Sequence, residues 1–150
     1  MRRNSQLVVH HGHGDCLRAC LTSILDIPNS LDLPNVDDKK PGEWFLLWRK
    51  WLGQYGLVLN YEIKAFWREG FWIASVPSLN FPGGRHAIVM NGSDVEWDPS
   101  PLKRYDSSMS LTGEGRVFGG HYLEVSDASL LRGLVALQER ERTSQGGTPT

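Results

Sequence analysis

The chain predicts an α+β domain. Two segments of helical period come first, a run of short strands separated by turn signals follows, and one more helical segment closes the 150 residues. Helices grouped ahead of strands, rather than alternating with them, are what separate α+β from α/β. The length suits a single domain, assigned to residues 1–140, with 141–150 as a flexible C-terminal tail rich in Ser, Gly and Thr. Hydrophobic content of 40% against 22% charged places the chain among globular rather than disordered sequences.

Taken in order, residues 6–10 suit a short extended segment that leads into a His/Gly loop, His10-His11-Gly12-His13-Gly14. A helix is predicted over 15–27, with Asp15 as N-cap, an apolar stripe at Leu17, Cys20, Leu21, Ile24 and Leu25, and Pro28 as the stop. Residues 29–41 are a loop rich in Pro, Asn and Asp. A second helix over 42–56 carries Trp44, Leu47, Trp48, Trp51 and Leu52 on one face and ends on Gly53 and Gly56. The period then changes. Leu57–Ile63 reads as a strand, 66–72 is ambiguous between a turn and a short helix, and Trp72–Pro77 reads as a buried strand. Residues 80–85 are a turn-rich loop; His86–Met90 is an apolar strand, Asn91-Gly92 a hairpin signal, and Val95–Asp98 the return strand, stopped by Pro99 and Pro101. Residues 106–116 form a surface loop. Val117-Phe118 and Tyr122–Val125 offer a last strand around Gly119-Gly120, and Ser126 or Asp127 caps a final helix with Leu130, Leu131, Leu134 and Leu137 on one face.

A net charge of −1 without a Lys/Arg stripe gives no reason to expect a nucleic-acid partner. The N-terminal apolar run, Leu7-Val8-Val9, is too short for a signal-peptide core, and no stretch approaches a membrane span, so the expected location is cytoplasmic. The two cysteines lie four residues apart on one helix, a spacing that disulfide geometry resists, so free thiols in a reducing compartment are expected. The six tryptophans suit a bulky core or groove wall, with Trp44, Trp48 and Trp51 as its main members.

The chemistry concentrates on three positions. Cys16 falls at the first helical position, where the positive end of a helix dipole favours a thiolate over a thiol. His86 opens one strand of the predicted hairpin and Asp98 closes its partner, so the two can sit side by side. Cys16, His86 and Asp98 are then the parts of a Cys-His-Asp triad: the imidazole takes the thiol proton, the acid fixes the ring, and the thiolate attacks a carbonyl. Cys20, one turn on, belongs to the core.

At these residues the chain resembles papain-like cysteine peptidases. The order Cys16, then His86-Ala87-Ile88-Val89-Met90, Asn91-Gly92 and Trp97-Asp98-Pro99 is most similar to the branch typified by bacteriocin double-glycine leader peptidases. Gly14-Asp15-Cys16-Leu17-Arg18-Ala19-Cys20 with Ile27-Pro28, Leu33-Pro34-Asn35 and Trp97–Pro101 resembles small stand-alone members found in phages and bacteria. The resemblance covers residues 14–101 and implies a papain-like fold, with the Cys16 helix packed on an antiparallel sheet that bears His86 and Asp98. It implies a hydrolase, a thiol protease that cleaves peptide or isopeptide amides through an acyl-enzyme, with a peptide or protein as substrate and no cofactor or metal. One departure stands out. The family often places an oxyanion-hole glutamine six residues before the cysteine; here that position is His10, and Gln6 lies ten before. His10 and the Cys16 backbone N–H are the candidate donors, and losing one such donor typically costs roughly two to three powers of ten in rate.

Other readings remain open at the level of sequence. The same cleft on a catalytically weak papain-like module would bind a peptide without cutting it. His11, His13 and Cys16, completed by Cys20 or His86, would make a zinc site, although no paired ligand knuckle accompanies them. His121 is an alternative base without an acid in register. Gly83-Gly84 reads as a turn, with no helix behind it to favour phosphate. Oligomeric state is not legible.

Overall fold

The change of period after Gly56 is where the chain passes from helix to sheet. A computed structural model describes residues 1–6, 15–27, 34, 41–63, 68–109, 111 and 117–146. Helices α1 (Cys16–Leu25) and α2 (Pro41–Gly53) precede strands β1 (Leu57–Ile63), β2 (Phe71–Pro77), β3 (Arg85–Asn91), β4 (Asp94–Trp97) and β5 (Gly119–Val125). A single 3₁₀ turn at Ala128–Leu130 then leads into α3 (Leu131–Gly146). The strands form one sheet in the order β1-β5-β2-β3-β4, with every neighbouring pair antiparallel. The fold class is therefore α+β, a five-stranded antiparallel sheet with three helices.

Helix α1 ends at Leu25, three residues before Pro28, by a mechanism other than proline. Asp26 takes the left-handed conformation (φ 59°), its N–H bonds the Ser23 carbonyl at 3.2 Å, and the Ile27 N–H bonds the Thr22 carbonyl at 3.1 Å. That is a Schellman turn with aspartate in the usual glycine position, and the buried Ile27 packs under it. Thr22 and Ser23 are fully buried, and their hydroxyls donate back to Arg18 and Ala19 carbonyls. At the other end Asp15 occupies the N-cap position, but its carboxylate makes no capping hydrogen bond, contrary to the sequence expectation. Its φ/ψ of −100° and 30° depart from the extended backbone that lets a capping side chain turn back onto the first turn.

Residues 1–6 run as a strap with no regular structure. The Asn4 side chain donates to the Thr22 hydroxyl at 3.1 Å and to the Ile27 carbonyl at 2.7 Å; the Arg2 N–H donates to the Ser23 carbonyl at 3.0 Å. Two residues on, the Gln6 N–H donates to the Pro99 carbonyl at 2.8 Å, tying the strap to the chain just after β4. Residues 7–10, the rest of the predicted extended segment, lie outside the described residues, as do 66 and 67 of the ambiguous stretch.

Strand β5 includes Gly119 and Gly120 and begins there, so Val117-Phe118, which the sequence placed in the last strand, precede it. A Cβ on Gly119 would lie 2.6 Å from the Tyr61 hydroxyl and 2.5 Å from the Glu62 carbonyl, so glycine there lets β1 and its tyrosine close over β5. The hairpin turn between β3 and β4 is Gly92-Ser93 rather than Asn91-Gly92. Asn91 pairs with Asp94, and the positive φ (60°) falls on Gly92, the first central residue, as in a type II′ turn. For the last helix Asp127 is the cap; its Oδ1 accepts the Ser129 N–H at 3.0 Å. Helix α3 runs on to Gly146, past residue 140 where the sequence suggested a tail, because Glu139–Arg142 are charged yet good helix formers.

Two cores lie on the two sides of the sheet. One joins Leu21, Leu25 and Ile27 to Trp48 and Leu52 of α2, to Leu134 and Leu137 of α3, and to Leu57, Leu59, Ile73 and Val89 of the sheet. The other gathers Trp72, Val76, Ile88, Met90 and Val95 under Tyr105, Leu111 and Val117 of the long β4–β5 connection. Trp48 and Trp72 are thus true core residues, whereas Trp44 and Trp51 are only half-buried.

The junction of α2 and β1 provides a stability test. Gly56 has φ +74°, and a Cβ on it would lie 2.0 Å from the Asp127 carbonyl oxygen, while around Gly53 the space is open. Gly56→Ala should lower the unfolding free energy by roughly 2–3 kcal/mol in urea titration. Gly53→Ala should leave it the same or raise it by up to about 1 kcal/mol.

Candidate functional site

The site begins with a hairpin that is out of step by one residue. Met90 pairs with Val95 but Val89 pairs with Trp97, so Glu96 is an extra residue, a β-bulge on β4. Because side chains alternate faces along a strand, the bulge turns Trp97 toward the helices, where it joins their core. Continued by one residue, the same register brings Asp98 opposite Ile88, on the His86 side of β3. Without the bulge it would lie opposite Ala87 and point away.

His86 and Asp98 meet as the sequence predicts. His86 Nε2 lies 2.6 Å from Asp98 Oδ1, and the two side chains are 9% and 1% exposed. The remaining carboxylate lone pairs are also engaged. Oδ1 accepts the Ser100 N–H at 2.9 Å, and Oδ2 accepts the Tyr105 N–H at 2.8 Å. The Ser100 contact is an Asx turn, and Asp-Pro-Ser in the sequence was its signal. Tyr105 is itself held by a bond from its hydroxyl to the Pro77 carbonyl at 2.7 Å, at the end of β2.

Nε2 is committed to Asp98, and the Cys16 side chain also acts on the ring, raising its pKa. Helix α1 packs on β3 and β2, which brings its first residue to the start of β3. Burial, the largest single influence on the His86 ring, works to lower its pKa. The hydrogen bonds and charges of Asp98 and Cys16 outweigh it and push the pKa up to about 9. Cys16 is half-buried and a free thiol. Cys20 is also free but wholly inside; burial, then the charges of Cys16 and Asp98, pushes its thiol well above the ordinary range. The first turn of α1, with no side-chain cap on it, presents backbone N–H groups beside Cys16.

Cys16 and His86 open onto a cleft of about 160 Å³. Leu17, Ile73, Ala74 and Ala87 make its apolar lining, Ser75 its small polar floor, and Arg85 and His121 two further polar walls. His121 had been considered as a base from sequence. It stacks on Tyr61 with ring centroids 4.6 Å apart and lies 6.1 Å from Trp44, and burial lowers its pKa to about 4. It is therefore a neutral wall of the cleft, with no carboxylate to orient it among the described residues. The lining residues Arg85 and Ser75 were missed, because nothing in a strand's own sequence says which cleft its end will border.

His10, His11 and His13 lie outside the described residues. Among the described residues no group of three or more His, Cys, Asp or Glu side chains is placed to hold a metal ion, and no helix is long and apolar enough to cross a membrane. No family model matches the chain, and neither a curated protein nor a solved structure matches it.

The pKa shifts give opposite pH dependences. His86 is raised, so its stabilising contribution is full below its ordinary value of about 6.5 and is lost as pH rises through about 9. His121 is depressed, so its contribution is full above about 6.5 and is lost as pH falls through about 4. Proton NMR titration should place the His86 ring midpoint near 9 and that of His121 near 4. In thermal melts, His121→Phe should flatten the decline in Tm on the acid side. Asp98→Ala, which leaves the buried imidazolium and two N–H groups unpaired, should cost roughly 3–5 kcal/mol by denaturant titration.

Proposed function

We propose that the protein is a thiol-dependent hydrolase of the papain-like kind that cleaves a peptide or isopeptide amide through an acyl-enzyme. The observation that carries the reading is the arrangement Cys16–His86–Asp98. A half-buried thiol and a buried carboxylate, the latter 2.6 Å from Nε2, both engage one imidazole, and the thiol and the imidazole border one cleft. The helix-on-antiparallel-sheet architecture and the position of Cys16 at the first residue of α1 support the papain-like comparison.

In this reading His86 holds the proton taken from Cys16, leaving a thiolate–imidazolium pair. The sulfur attacks the carbonyl carbon of the amide. The backbone N–H of Cys16 donates to the oxyanion, with His10 as its side-chain partner. His86 then gives its proton to the leaving nitrogen as the C–N bond breaks and a thioester forms. Water, deprotonated by His86, attacks that thioester; the carboxylic acid departs and the thiol is restored. Asp98 keeps the ring oriented throughout and remains ionised. Leu17, Ile73 and Ala87 keep the cleft dry enough to strengthen these interactions. The reaction calls for no metal or cofactor, a peptide or protein as partner, and a reducing compartment such as the cytoplasm.

The first test is chemical. At pH 6, iodoacetamide should alkylate Cys16 far faster than Cys20, read by peptide mass spectrometry; equal rates for the two would remove the nucleophile. The second is enzymatic. In a proteome-derived peptide mixture the protein should generate new amino termini that the Cys16→Ala variant does not. Turnover should fall as pH rises through about 9, where His86 loses the proton it delivers. His10→Ala should lower turnover by roughly 10²–10³-fold if His10 completes the oxyanion hole.

A further inference from the structure

The cleft beside Cys16 carries one permanent charge that the chemistry above leaves unused. Arg85 precedes His86 on β3 and lines the same cleft as Cys16 and Ser75. Its guanidinium lies 4.4 Å from the centroid of the Phe118 ring, and the Phe118 N–H bonds the Ser75 carbonyl at 2.8 Å. The cation is thus held over a ring anchored to the cleft floor, and it is pre-organised. Among the described residues it meets no carboxylate, unlike Arg2 and His86, which pair with Asp26 and Asp98. Among the described residues no acidic side chain lines the cleft, and no other wall carries a permanent charge. Cys16 and His86 engage each other, and His121 is neutral.

A guanidinium stays charged at every working pH and matches a carboxylate with two parallel N–H donors. A cleft of about 160 Å³ is only about 5 Å across, so a group on the substrate within a residue or two of the attacked carbonyl falls within reach of Arg85. Electrostatic influence persists over roughly 8 Å at physiological salt, so a charge bordering so small a cleft acts on whatever enters it.

We propose that Arg85 is a specificity-determining residue that selects substrates with a carboxylate side chain, aspartate or glutamate, next to the scissile amide. The proposal rests on the reading of Cys16 as nucleophile. Arg85 donates to the carboxylate and leaves the bond-breaking steps to His86.

Two measurements test it. In the peptide-mixture digest, cleavage sites should be enriched in Asp or Glu within two residues of the cut, and Arg85→Gln should reduce that enrichment by about tenfold, while Arg85→Lys retains part of it. Cut sites with no acidic preference, or a preference that survives Arg85→Gln, would overturn the proposal. The second measurement needs no cleavage. The ratio of Cys16 alkylation rates by anionic iodoacetate and neutral iodoacetamide, taken at pH 8, should fall roughly threefold or more in Arg85→Gln, and the difference should shrink in high salt. Because it is a ratio, a general change in Cys16 reactivity cancels; His86 contributes equally to both proteins. An unchanged ratio sinks the role of Arg85. Iodoacetamide labelling of Cys16 no faster than Cys20 sinks the nucleophile instead, and the ratio still reports whether Arg85 acts at that sulfur.

Discussion

The buried carboxylate of Asp98 is the constraint around which the site is built. An ion at 2% exposure is costly unless nearly every lone pair finds a donor. Here the donors come from three places: the imidazole of His86 on β3, and the N–H groups of Ser100 and Tyr105 on the chain that leaves β4. Satisfying the charge therefore ties together the start of one strand and the loop after another. Through the Tyr105 hydroxyl the tie extends to the end of β2. The same bonds that make the ion tolerable hold the imidazole in one orientation, so stability and chemistry draw on a single network.

The thiol is placed by different means. Helix α1 has few of the usual terminal aids, since Asp15 does not cap it with its side chain, and its C-terminal turn is held by Asp26 in a left-handed conformation. It is secured instead by burial of Ala19, Cys20 and Leu21 and by the N-terminal strap, whose Asn4 reaches its last turn. The strap continues to Pro99, the residue after Asp98. One short segment thus links the Cys16 helix to the loop after Asp98, a coupling between the two halves of the candidate site that does not pass through the sheet.

What was legible in the sequence was whatever is local. The apolar stripe of α1, the aromatic face of α2 and the strand from Leu57 to Ile63 follow from periods within a few positions of one another; the nearness of His86 and Asp98 followed from the hairpin between them, although its exact turn and its bulge did not. What was not legible depends on distant partners. β5 inserts between β1 and β2, and the reason for a glycine at 119 is seen only once Tyr61 is found lying over it. His121 looks like a spare base until its aromatic neighbours are known. Arg85 looks like an ordinary strand-end charge until the cleft is formed. The Asp15 cap failed for a related reason: propensity names the position, but the surrounding chain decides the dihedral angles.

The extra residue in β4 has a consequence that can be read by counting. In a hairpin closed by two residues, partners across the ladder are always an odd number of positions apart, as Asn91 and Asp94 are. Residues that share a face therefore also differ by odd numbers. His86 and Asp98 differ by twelve, an even number, yet they touch. Parity makes that possible only through an odd number of bulges. A related chain could keep the histidine, the aspartate and the cysteine and still be inert, if one residue were gained or lost between positions 91 and 97. The evenness of the interval between His86 and Asp98 is thus the trace, in the numbering alone, of the bulge at Glu96.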